Sequence, residues 1–257
     1  MQRTHSGRPA LVRRLALTVA LTGALAATLA TALLTSRASA GAAAEAVTVR
    51  IEGTKETLVP ATRVVLPTAK VTKNGVAADS CAGASAAGAL ELATRGDWTG
   101  TWSASYKAYF LTGIEGLTFP STGAEYWAFW VNDAPSAAGI CSYDPKPGDS
   151  LLFFPDCYGK KCPKSAGVLG VKAASVAVIG RPFTVAVTAY SDAKGTPSRA
   201  VGARVSAGGA SARTTAAGTA TLTFTKAGEL TLEVSEPDAI RTEANVCVEA
   251  AGAKTCV

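Results

Sequence analysis

The sequence predicts two folded units of different class: a small α+β domain with one helix lying across a mixed sheet, then an all-β sandwich. Three observations carry this. Between residues 46 and 157, strand-like alternation is interrupted once by a helix-period segment. After Pro163 the composition shifts to Val, Thr, Ala and Gly, and short strands recur between turns with no helical segment. Six cysteines, at 81, 141, 157, 162, 247 and 256, form an even set of the kind that staples exported domains.

The first 40 residues are set apart. Arg3, Arg8, Arg13 and Arg14 precede an uncharged Ala/Leu-rich run from Leu15 to Leu34, and Ala38-Ser39-Ala40 offers small residues for cleavage before Gly41. Residues 1–40 read as a secretory signal peptide, which places the mature chain outside the cell or on its surface. The competing reading is an uncleaved anchor, the chain's one route to a membrane, since twenty apolar residues span a bilayer. The segment holds five of the 25 basic residues and none of the 19 acidic ones, so the mature chain has 20 basic against 19 acidic groups. The pI of about 9.1 therefore comes from the leader and implies no nucleic-acid partner. His5, the only histidine, leaves with it. Without an imidazole there is no Ser-His-Asp or Cys-His nucleophile and no His-ligated zinc, so the expectation is a protein that is not an enzyme.

The first unit, residues 46–163, opens with alternation at Ala46–Ile51 and a partner strand at Thr62–Leu66. Ser85–Thr94 (SAAGALELAT) changes the period: Ser85 is placed as an N-cap, Ala86, Ala89, Leu90 and Ala93 share a stripe, and Gly96 supplies the stop. Strand signals resume at Tyr106–Leu111, at 126–132 and at Ser150–Phe154, the last introduced by the turn Pro147-Gly148-Asp149. The second unit, residues 168–257, shows seven short strands, at 171–178, 182–190, 203–206, 210–215, 219–225, 230–234 and 245–248. That number and spacing argue for a β-sandwich of immunoglobulin type. Short separations pair Cys157 with Cys162 and Cys247 with Cys256, leaving Cys81 for Cys141, although six cysteines allow 15 connectivities.

The strand YWAFWVND (126–133) is apolar on both faces, Tyr126, Ala128 and Trp130 on one and Trp127, Phe129 and Val131 on the other. A sheet with one wet face alternates apolar with polar, so something must cover the second face here. A helix accounts for one side; loops, the second domain, a ligand or a partner would account for the other.

CAGASAAGALELAT (81–94), YFLTGIEGLTF (109–119), YWAFWVND (126–133) and GICSYDPKPGDSLLFF (139–154) together resemble the bacterial relatives of the C-terminal domain of transcobalamin and intrinsic factor. The resemblance covers roughly residues 46–157 and implies a β-grasp fold. It also implies a corrinoid, a cobalamin-type ligand, as the first molecule to test. In the vitamin carriers a helical barrel completes the site; this chain lacks one, so a separate helical-barrel partner would have to supply it. The second unit resembles bacterial immunoglobulin-like modules through VGARVSAGG (201–209), TTAAGTATLTFTKAGELTLEV (214–234) and CVEAAGAKTC (247–256). Such modules mostly act as spacers.

Tyr126 and Trp130, with Tyr106, Tyr143 and Asn132, form the candidate ligand patch, because rigid aromatic groups make good recognition surfaces. Asp144, Asp149 and Asp156 match no calcium loop, and turn and cap roles account for them; neither a metal nor a resident cofactor is expected. Glu115 and Glu125 would serve a glycosidase only within one cleft. Ser191-Asp192-Ala193-Lys194 fits the S-x-x-K pattern of penicillin-binding enzymes but falls in a hairpin turn, not at a helix start. The sequence therefore leads to an exported binding protein for a small molecule or a partner protein, with an adhesive or structural surface protein as the alternative.

Overall fold

The computed structural model describes residues 46–120, 122–159, 162, 167–190 and 194–253. The predicted signal peptide, Ser191–Ala193 of the S-x-x-K match and Cys256 lie outside the described residues. No described helix is long and apolar enough to cross a membrane.

The first part runs β1 (Ala46–Glu52), β2 (Thr57–Val65), α1 (Ala86–Ala93), β3 (Trp98–Ser103), β4 (Ala108–Ile114), β5 (Leu117–Thr118), β6 (Glu125–Val131), β7 (Ala134–Pro135) and β8 (Ser150–Cys157). One sheet has the order β2-β1-β8-β6-β7, with β1 and β8 parallel and the other pairs antiparallel. A second sheet is β3-β4-β5. The two meet in one core: Val49 and Ile51 of β1, Trp127 of β6 and Phe153 of β8 pack with Ala89 and Leu90 of α1 and with Trp98, Tyr109 and Ile114 of the three-stranded sheet. Each such large side chain removed from water contributes about 1.5–3 kcal/mol.

An α+β β-grasp domain is not what the chain forms. Among the described residues strand makes up 52% and helix 4%, with a single helix and several curled sheets. Eight residues at about 1.5 Å each span only about 12 Å, too short to roof a five-stranded sheet. The β3-β4-β5 sheet shares the covering role. The helix is short for local reasons. Ser85 directs its hydroxyl back to the Ala82 carbonyl and makes no side-chain cap, and after Thr94 the chain turns left-handed at Arg95 and Gly96. Gly88 lets the helix lie directly on Gly83, whose carbonyl oxygen would sit 1.8 Å from a Cβ at position 88.

The second part contributes β9 (Gly167–Ala173), β10 (Val176–Val178), β11 (Pro182–Tyr190), β12 (Pro197–Arg199), β13 (Arg204–Ala207), β14 (Ala210–Arg213), β15 (Thr219–Thr223), β16 (Gly228–Ser235), β17 (Ala239–Ile240) and β18 (Thr242–Glu249). They form two sheets, β10-β18-β16-β13-β14 and β12-β11-β9-β17 with β15 alongside β11. Inward residues of both, among them Val185, Leu222, Val205, Leu232 and Val246, share one core, so this part is a two-sheet sandwich.

The sandwich also covers the second face of the first sheet. Ala128, Trp130, Leu152 and Phe154 pack against Val168 of β9, with Tyr190 and Ile240 beside them. This accounts for most of the apolar character of YWAFWVND: Trp127, with Phe129 and Val131 beside it, lies in the first core, and Ala128 and Trp130 lie in the junction, while Tyr126 stays partly exposed. Polar contacts close the same junction. Arg50 donates to the Arg241 carbonyl and, at 2.6 Å, to Glu52, while the Ala61 N–H donates to Glu243.

Cys81–Cys141 and Cys157–Cys162 are disulfides, as the spacing predicts, and Cys247 is also disulfide-bonded. Such cross-links persist in oxidising, extracellular surroundings.

Candidate functional site

The outer edge of β6 is largely open. Among the described residues it is paired only at its end, Trp130 with Pro135 and Val131 with Ala134, extended by a hydrogen bond from the Ser136 N–H to the Phe129 carbonyl. Facing it is β4, which pairs with β3 on one side and on the other meets β5 only at Gly113 and Ile114. Between the two lies a groove of about 610 Å³, closed at one end by the loop 135–142. A smaller hollow of about 300 Å³ continues it toward Glu125 and Tyr158, and the two share Phe110, Leu111, Tyr126 and Trp127.

The walls are aromatic and partly wet. Tyr106 is 71% and Phe110 53% exposed, and their rings meet edge to face at 5.5 Å. Tyr126 is 39% exposed and lies 5.9 Å from Tyr158. Burial first, then the hydrogen bond to Asp156, pushes the Tyr126 phenol up to about 12, so it stays a neutral donor. Beneath them Trp127 is buried, and its indole N–H has no acceptor among the described residues.

Helix α1 and a disulfide hold the loop at the end of the groove. The Ala87 N–H donates to the Ile140 carbonyl and the Ala86 N–H to the Tyr143 carbonyl, which satisfies two of the donors a helix N-terminus leaves free. Cys141 between them is tied to Cys81. The loop is thus fixed by the same residues that start the helix.

The predicted patch divides. Tyr106, Tyr126 and Trp130 line the groove. Trp130, only 7% exposed, spends most of its surface against Phe154 and the sandwich. Asn132 and Tyr143 lie elsewhere, around Asp149: the Asn132 amide and the Tyr143 hydroxyl each donate to its carboxylate at 2.8 Å, as does the Lys146 N–H. Asn132 also accepts from the Ser150 N–H and takes φ of 49°, so it orders the turn into β8. Asp144 pairs with Lys146 at the surface, and Asp156 accepts from Tyr126 and from the Cys157 N–H. Glu115 occupies the β4–β5 turn and lines neither hollow, whereas Glu125 borders the smaller one. They share no cleft.

Phe110 and Tyr158 also line these hollows, although they are not among the residues of the sequence-derived patch. Phe110 could have been found by alternation, which sends it away from Tyr109, a core residue of the same strand. Tyr158 carries only a weaker signal, its place inside the short Cys157–Cys162 loop.

Residues 90–154 match the family model described as Domain of unknown function (DUF4430), a stretch of 65 residues in 257. No curated protein matches. Among solved structures, a Ruminococcus gnavus protein to which metal binding has been attributed is 13% identical, covering 45% of this chain and 99% of that one at a TM-score of 0.31. The D00-D0 domain of intimin is 16% identical, covering 52% and 89% at 0.23. The complex of the pro- and mature domains of Porphyromonas gingivalis RgpB is 18% identical, covering 33% at 0.26, and this chain spans about a fifth of it (19%). At these scores the likenesses carry no functional argument. Classification with transcobalamin and intrinsic factor is not confirmed by these matches.

Proposed function

We propose that the chain is an exported binding protein that captures its ligand in the groove between β4 and β6, with the sandwich as the support that carries it. The observation that supports this most is the groove itself: about 610 Å³ walled by Tyr106, Phe110 and Tyr126, large aromatic groups left in water beside a cleft. Its size falls in the range of ligand pockets, and clustered exposed aromatics mark interaction surfaces. The groove offers rings, a few hydroxyls and backbone groups, which suit recognition by contact and hydrogen bonding.

Trp127 and Trp130 line the groove, so intrinsic fluorescence reports on it. The protein is titrated with cobalamins, other tetrapyrroles, wall glycans and a pool of linear peptides. A shift or quench with one class, abolished in Phe110→Ala, is expected. No response to any of the four would overturn the reading.

A further inference from the structure

We infer that the occupant of the groove is an extended polypeptide, added as a new strand along the open edge of β6; this rests on the binding role proposed above and names the class of its ligand. The direction of the backbone groups carries the inference. Residues of an antiparallel strand turn both N–H and C=O to the same side, and successive residues turn to opposite sides. The Ala124 carbonyl accepts from Tyr158 N–H, and the Asn132 N–H donates to the Ser150 carbonyl, so even-numbered positions face β8. The Phe129 carbonyl accepts from Ser136, so odd-numbered positions face outward. Opposite Trp127 stands Pro155, which has no N–H to offer.

Trp127 therefore presents both backbone groups to the groove, Glu125 both of its own toward the smaller hollow, and Phe129 its N–H to the groove. No described strand pairs with them. An edge of this kind is a template for strand addition. The partner that satisfies it must repeat donor and acceptor at strand spacing, which is the chemistry of a peptide backbone and not of a compact ring system.

Shape and side chains agree. The groove and the smaller hollow follow β6 from Glu125 to Trp130, and seven strand residues at roughly 3.3 Å each reach about 23 Å, room for a peptide of similar length. Phe110 and Tyr126, common to both hollows, would flank alternate side chains of the guest. The buried Trp127 indole N–H lacks an acceptor among the described residues, and an entering backbone brings carbonyl oxygens to the strand that bears it.

The probe is a synthetic nonapeptide alternating valine with threonine and ending in lysine on each side, tested on the full chain. Binding is expected, with amide hydrogen exchange at Trp127 and Phe129 slowed tenfold or more. Methylating alternate backbone nitrogens of the peptide should weaken binding by roughly tenfold while leaving its side chains unchanged. Glu125→Pro removes one outward N–H at the exposed start of the strand, where proline is tolerated, and should weaken the peptide several-fold. Failure of the peptide to bind, unchanged exchange at the two amides, or equal binding of the methylated peptide overturns strand addition. If a tetrapyrrole or glycan still binds and is lost in Phe110→Ala, the groove remains the binding site and only the peptide assignment falls.

Discussion

Glu52 and Arg241 meet where the first sheet joins the sandwich: the Glu52 carboxylate, 1% exposed, takes Arg50 at 2.6 Å and Thr57 at 2.9 Å and lies 3.5 Å from the Arg241 guanidinium. The Arg241 carbonyl in turn accepts from Arg50. Removing one member of such a network strands a buried charge, which costs about 3–5 kcal/mol. Glu52→Ala should therefore lower stability by that order in urea unfolding. It should also separate the transitions of the two parts, read by tryptophan fluorescence for the first, which holds all four indoles, and by backbone circular dichroism for both. A loss below about 1 kcal/mol would show that the apolar junction alone joins them.

Cys81 and Cys141 close a span of 60 residues, for which chain entropy gives about 4 kcal/mol of stabilisation. The double change to serine should cost that order and have a local effect as well. The loop at Ile140 and Tyr143 that caps α1 also closes the groove, so ligand affinity should fall more than in a variant of equal stability altered in the sandwich, such as Val205→Ala. Equal affinities in the two would detach the loop from the site.

Asp149 gives the pH prediction. Burial opposes its charge, but donors from the Lys146 backbone, Asn132 and Tyr143 hold the carboxyl below its ordinary value of 3.8. The unfolded chain then takes up the proton at higher pH than the fold does, so this stability is present above about pH 4 and is lost as pH falls through the lower folded value. Asp149→Asn should be less stable than the parent at pH 7, by about 1–3 kcal/mol, and the two should converge as pH falls from about 4 through the lower folded value of the Asp149 carboxyl. A gap independent of pH would mean the carboxylate charge contributes nothing.

Gly88→Ala tests the close approach of helix and loop. A Cβ there would lie 1.8 Å from the Gly83 carbonyl oxygen, and backbone cannot move aside cheaply. Destabilisation of about 1–3 kcal/mol is expected from overpacking, although alanine is the better helix former. A neutral or stabilising result in thermal melts would show that the helix shifts freely.

What the sequence reveals here depends on how local the cause is. The helix, the turn at Pro147-Gly148-Asp149, the alternation of β1 and most of the sandwich, and the apolar and aromatic runs of β6 and β8 depend on near neighbours and are legible. Strand β3 was not. Trp98, Gly100 and Trp102 do alternate, but the glycine hides the period, and it is there because a Cβ would crowd the Phe110 carbonyl at 3.0 Å. Sheet membership is non-local too, so the three-stranded sheet that displaces a β-grasp arrangement has no signature within its own residues. YWAFWVND announces two covered faces without naming the cover, because Val168, Tyr190 and Ile240 lie far along the chain. Asn132 and Tyr143 resemble a binding patch in sequence and turn out to hold Asp149.

Phe110 separates a binding surface from a packing accident. It is 53% exposed, so truncation should change stability by no more than about 0.5 kcal/mol. Its ring borders both hollows, and a central aromatic anchor at a binding surface carries on the order of 1–2 kcal/mol or more, tenfold or so in affinity. Phe110→Ala should therefore unfold like the parent and bind its ligand roughly tenfold more weakly. Phe183→Ala, in the sandwich core, should do the reverse, costing about 3–5 kcal/mol with affinity unchanged wherever the chain remains folded. Unfolding curves and fluorescence titrations of the two variants decide the matter. Should Phe110→Ala lose stability and keep its affinity, the ring is part of the fold's packing and the groove is not where the ligand sits.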